Sequence, residues 1–129
     1  MKRLAILLAL ATLAGHAQAD SPRYDGNQLL KACSASERFT EGTFRNGQWE
    51  EDSDFYLCHG YVRATMDTID AMTAAFNLPQ RVCIPDAVTQ GQIARVYVAF
   101  LKAHPKDLQV PGSLLLMNAL REAYPCQKN

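Results

Sequence analysis

Residues 53–76 read SDFYLCHGYVRATMDTIDAMTAAF, and the spacing of their apolar side chains decides the fold class. Phe55, Cys58, Val62, Thr65, Met66, Ile69, Met72 and Phe76 recur at three- and four-residue steps, which places them on one face of an α-helix. Ser53 is suited to cap its start, and Asn77 with Pro79 stops it. A second amphipathic stretch follows at TQGQIARVYVAFLKAHP, residues 89–105. Thr89 and Gln92 stand at capping-box spacing, Ile93, Val96, Tyr97, Phe100 and Leu101 form one face, and His104-Pro105 ends it.

Two shorter helices flank this pair. Asp25-Gly26-Asn27-Gln28 reads as an N-cap with an amide three residues later, opening a helix that turns Leu29, Leu30 and Cys33 inward and ends near Ala35. Residues 36–52 lack a helical period; Asn46-Gly47 between Phe44 and Trp49 is a tight-turn signal in what reads as a long loop. The last helix starts at Pro111, carries Leu115, Leu116, Ala119, Leu120 and Ala123, and stops at Tyr124 before Pro125. No strand-period segment competes. The expected class is all-α, a compact bundle of about four helices forming a single domain over residues 20–129.

The N-terminus has the pattern of an export signal: Lys2 and Arg3, an uncharged apolar run from Leu4 to Gly15, then His16-Ala17-Gln18-Ala19. Cleavage after Ala19 is expected, and the apolar run is shorter than the ~20 residues a membrane helix needs. The chain has 13 basic and 13 acidic residues; losing Lys2 and Arg3 leaves the mature part slightly acidic, which argues against nucleic-acid binding. All four cysteines, Cys33, Cys58, Cys83 and Cys126, fall after the signal, and an even count in an exported small domain reads as two disulfides. Four cysteines allow three pairings. Cys83 just precedes one helix and Cys126 just follows its antiparallel partner, so a helical hairpin pairs these two and leaves Cys33 with Cys58. Each closed loop is worth about 3–4 kcal/mol in the chain-entropy view. The wide intervals contain neither C-x-x-C nor H-x-x-x-H, so no metal site and no cofactor is expected.

Catalytic candidates are few. His59 and His104 are the histidines of the mature chain; the first falls at a core boundary, and the second at a helix end, where an imidazolium complements the dipole. Asp67 and Asp70 could pair for acid–base chemistry, but Arg63 four residues before Asp67 makes a solvated ion pair an equal explanation. The acidic run Glu50-Glu51-Asp52 suits a helix start. There is no phosphate loop and no nucleophile elbow, so no catalytic residue is expected. What remains is two loops with the residue types of binding hot spots: Phe39, Phe44, Arg45 and Trp49 in one, Lys102, His104, Lys106 and Asp107 in the other.

The ordered set Asp25-Gly26-Asn27-Gln28-Leu29-Leu30 with Cys33, Cys58-His59-Gly60-Tyr61-Val62 with Asp67, Cys83-Ile84-Pro85, Val88-Thr89-Gln90-Gly91-Gln92, His104-Pro105, and Ala119-Leu120 with Tyr124-Pro125-Cys126 resembles the Rap/Tai immunity proteins, which protect bacteria against type VI secretion amidase toxins. Ala64 departs from that pattern, where a second Gly often follows the Gly-Tyr pair. In this set Gly60 reads as a point of close helix packing and Gln92 as part of a cap. The resemblance implies a periplasmic all-α protein, commonly a homodimer, whose partner is a cognate peptidoglycan amidase toxin that it occludes as a non-enzymatic inhibitor; from the residues themselves, no stretch after the signal is long and apolar enough to anchor the mature chain in a membrane. Two other readings stand beside it: an acid-stress chaperone triggered by carboxylate protonation, and a hydrolase built on His59 with a nearby carboxylate.

Overall fold

A computed structural model describes residues 23–40 and 53–127. Four α-helices occur among them: α1, Gly26–Thr40; α2, Ser53–Ala75; α3, Gln90–Ala103; and α4, Gly112–Ala123. A single 3-10 turn, Pro105–Asp107, joins α3 to α4. The all-α expectation holds. Two isolated backbone bridges, Asp25 with Pro111 and Val82 with Pro125, tie connecting segments together at two points.

Both expected capping boxes form. At α1 the Gln28 N–H donates to Asp25 Oδ1 at 2.9 Å and the Asp25 N–H to Gln28 Oε1 at 3.0 Å. At α3 Thr89 and Gln92 make the same reciprocal pair, at 3.3 and 2.7 Å. Each pair satisfies amide hydrogens that a helix start leaves without partners. Pro111 precedes α4 rather than joining it, with φ −50° and ψ 131°. Its carbonyl accepts from the N–H groups of Leu114 and Leu115.

The first helix runs five residues beyond its expected end. Ala35 and Ser36 are buried, and Glu37 accepts a 2.9 Å bond from Lys102 Nζ on α3. Tertiary packing thus carries the helix on where residue type alone is indifferent. Asn77 stops α2 as expected, and the geometry shows how. With φ 48° it takes the left-handed position, its N–H reaching Ala74 O while the Leu78 N–H reaches Thr73 O at 3.0 Å. That is a Schellman closure, which Asn tolerates better than most side chains.

The core is built mainly by α1, α3 and α4. Leu29, Ala32, Ile93, Ala94, Tyr97, Val98, Leu101, Leu115, Leu116, Ala119 and Leu120 are all buried, and the fully buried Tyr97 donates its hydroxyl to Gly112 O at 2.8 Å. Burial, and to a lesser degree the nearby Tyr61 phenol, push the Tyr97 phenol far above its usual range, so it stays a neutral donor. By contrast α2 buries only Cys58 and Val62. Cys33 is bonded to Cys58 and Cys83 to Cys126, the pairing the helical hairpin implies.

Gly60 does not pack closely: it is exposed, and nothing lies within 4 Å of where its Cβ would be. Its position on the solvent side of α2 is the reason. The close approaches occur at Gly26, where a Cβ would fall 2.6 Å from Leu115 Cδ1, and at Gly112, where it would run into Leu29 Cδ1 and come within 3.1 Å of the Tyr97 hydroxyl. Two alanine substitutions should therefore have opposite signs in chemical denaturation. Gly112→Ala should cost about 1–3 kcal/mol by overpacking, whereas Gly60→Ala should stabilise by about 0.5–1 kcal/mol, because an exposed helical glycine has only chain entropy to lose.

Candidate partner-binding surfaces

The second candidate loop is a hydrogen-bonded turn. Asp107 N–H donates to His104 O at 3.0 Å and Val110 N–H to Asp107 O at 2.9 Å. Leu108 is buried, and its carbonyl accepts from both the backbone N–H and the side-chain Nδ2 of Asn27 at 3.2 Å. Anchored this way, the turn holds Lys106 and Asp107 out in solvent. His104 and Lys102 are more committed to the fold. The His104 ring stacks on Phe100 with centroids 4.0 Å apart, and Nδ1, 2.8 Å from Phe100 O, is placed to donate to that carbonyl. Lys102 braces α3 against α1 through Glu37. Phe44, Arg45 and Trp49, the other candidates, lie outside the described residues.

His59 lies half-buried on α2 with its ring against Phe55, centroids 4.3 Å apart. Its carbonyl accepts from Gln90 Nε2 at 2.6 Å, a bond that crosses from α3 to α2. Arg63 Nε bonds both oxygens of Asp67, at 3.1 and 3.2 Å, on an exposed face. That is the solvated ion pair of the sequence reading, and it takes Asp67 out of any pairing with Asp70.

One concavity among the described residues is a feature the sequence did not indicate. A groove of about 480 Å³ runs between the C-terminal half of α2, the segment 78–84 and α4, lined by Met66, Ile69, Thr73, Leu78, Val82, Ile84, Met117 and Leu120, with Asp70 and Arg81 also on its walls. A shallower depression of about 330 Å³, lined by Tyr61, Thr65, Leu114 and others, continues it and shares Ile69 and Met117. Met72, Phe76, Leu78 and Leu114 are each about half or more exposed (49, 64, 51 and 55%). Met72 and Phe76 belong to the apolar stripe that periodicity assigns to one face of α2, yet they stand in solvent. The signal that explains them is length: α2 has 23 residues against 15, 14 and 12 for its neighbours, about 34 Å against roughly 18–22 Å at ~1.5 Å per residue. Its stripe continues past the end of what can cover it.

Burial lowers the His59 pKa from its ordinary 6.5. The folded state therefore takes up its proton less readily than the unfolded chain, and stability drops as pH falls through 6.5 toward the folded-state value, then levels off. In denaturation series across that range, His59→Gln should remove this component, so the difference between wild type and variant should change with pH there; a constant difference would contradict the assignment.

The family model described as Rap1a immunity proteins matches residues 25–126, from the α1 cap to the last cysteine. No curated protein matches the chain, and no solved structure does. No helix among the described residues is long and apolar enough to cross a membrane. The family match takes in all four helices and both disulfides, and by it the chain belongs to the Rap1a immunity proteins.

Proposed function

We propose that this chain is exported, loses residues 1–19, and in the periplasm binds and inhibits a peptidoglycan amidase effector of a type VI secretion system, protecting the cell that makes it. Family membership over residues 25–126 carries this reading. The turn at Lys106 and Asp107 supports it, because a contact loop already fixed by Leu108 and Asn27 loses little conformational freedom on binding. Inhibition by occlusion needs shape and charge complementarity and no chemistry of the inhibitor's own.

The mature chain acts as a homodimer in this proposal. The apolar face of α2 supports it: the exposed ridge of Met72 and Phe76 lies beside a groove that can receive such a ridge, and Asp70 and Arg81 offer opposite charges to a two-fold copy. Ridge and groove on one surface are what a self-complementary interface requires.

Stoichiometric addition of the folded mature chain should abolish peptidoglycan hydrolysis by the amidase effector of the same cell. The double variant Lys106→Glu/Asp107→Lys should weaken that inhibition about tenfold or more. Full hydrolysis in the presence of folded chain would overturn the reading. Light scattering should give twice the monomer mass for the mature chain and a monomer for Phe76→Glu; a monomeric wild type would remove the dimer.

A further inference from the structure

The two disulfides occupy opposite environments. Cys33 and Cys58 are both 0% exposed inside the core, whereas Cys83 is exposed and Cys126 half-buried. Cys83 lies in the extended segment that forms one wall of the α2–α4 groove. Val82 and Ile84 line the groove from this wall and Cys83 does not, as expected when alternate side chains of an extended strand point to opposite sides. The disulfide therefore fastens the outer face of the wall, and it stays reachable with the groove occupied.

Apart from the disulfide, the wall is held by the half-buried side chains of Val82 and Ile84 against the core, by the Leu78 N–H bond to Thr73 O where the chain leaves α2, and by two backbone contacts. The Cys83 N–H donates to Tyr124 O at 2.9 Å and Val82 pairs with Pro125 in an isolated bridge. Gln80 Nε2 donates within the segment, to Val82 O at 3.2 Å. The helices, by contrast, have their own core and the Cys33–Cys58 bond.

We propose that Cys83–Cys126 is a redox-sensitive latch on the groove wall, opened by a dithiol reductant while the helical bundle stays folded. A thiolate of the dithiol attacks one sulfur and displaces the other as a thiolate. The second thiol of the reductant then resolves the mixed disulfide, leaving it as a disulfide and the chain with two thiols after proton uptake, a two-electron exchange in all. With the bond open, the wall from Leu78 to Ile84 detaches and the groove loses one side. In the dimer proposed above this would also loosen the pair, but the latch rests on the single chain and is tested on it.

The mature protein is treated with dilute dithiothreitol under native conditions, alkylated at intervals, and mapped by peptide mass spectrometry with hydrogen exchange. Cys83 and Cys126 should be labelled at least about tenfold faster than Cys33 and Cys58, whose release requires global opening. Exchange should quicken in 78–84 and 124–127 while α3 and α4 keep their protection. The double variant Cys83→Ser/Cys126→Ser should show the same fast exchange with wild-type helical circular dichroism. Equal labelling of both pairs, unchanged exchange in 78–84 after selective reduction, or loss of helicity in the double variant would each overturn the latch.

Discussion

The buried bond between Cys33 and Cys58 is the constraint on which the arrangement rests. Three helices make a core of their own around Tyr97, while the longest helix contributes only Cys58 and Val62 to it in full. Packing of that extent, with half-buried Leu57, Tyr61 and Met66 beside it, is modest for a 23-residue helix, since a fully buried aliphatic side chain contributes only about 1.5–3 kcal/mol. A cross-link that closes 25 residues removes about 3–4 kcal/mol of unfolded-chain entropy. In a domain of this size, that is a large share of the net stability.

Because the bond holds α2 near its N-terminal end, the helix's other half projects past its neighbours. The overhang exposes Met72 and Phe76 and creates the groove, and the second disulfide fastens the groove's far wall. The two cross-links thus have different tasks: one holds a helix to the bundle, the other shapes a surface. The oxidising compartment proposed for the chain would maintain both, and a family role in binding effectors gives a shaped apolar surface something to do.

Local features were the most legible in the sequence. The boxes at Asp25–Gln28 and Thr89–Gln92 and the stop at Asn77 depend on residues a few positions apart, so spacing alone identifies them. The cysteine pairing was also accessible, because the ends of an antiparallel helix pair must meet. Burial was not. Periodicity says which side chains share a face but not how far a neighbour extends along it, so it puts Met72 and Phe76 on the same stripe as Cys58 and Val62 although only the latter two are buried. Likewise α1 continues to Thr40 because Ala35 and Ser36 find burial and Glu37 finds Lys102, none of which local sequence reveals. Glycine was ambiguous for the same reason: Gly60 and Gly112 look alike as letters, and only the neighbouring helix distinguishes them. Of the candidate contact residues, the sequence located the turn at Lys106 and Asp107, while the groove followed from a mismatch of helix lengths that no motif records.

The dependence of α2 on its buried cross-link is best tested by hydrogen exchange along the mature Cys33→Ala/Cys58→Ala variant. Residues 53–75 should lose most of their protection while α3 and α4 keep more of theirs. Wild-type protection throughout α2 in that variant would contradict the account, since the helix would then be held by packing alone.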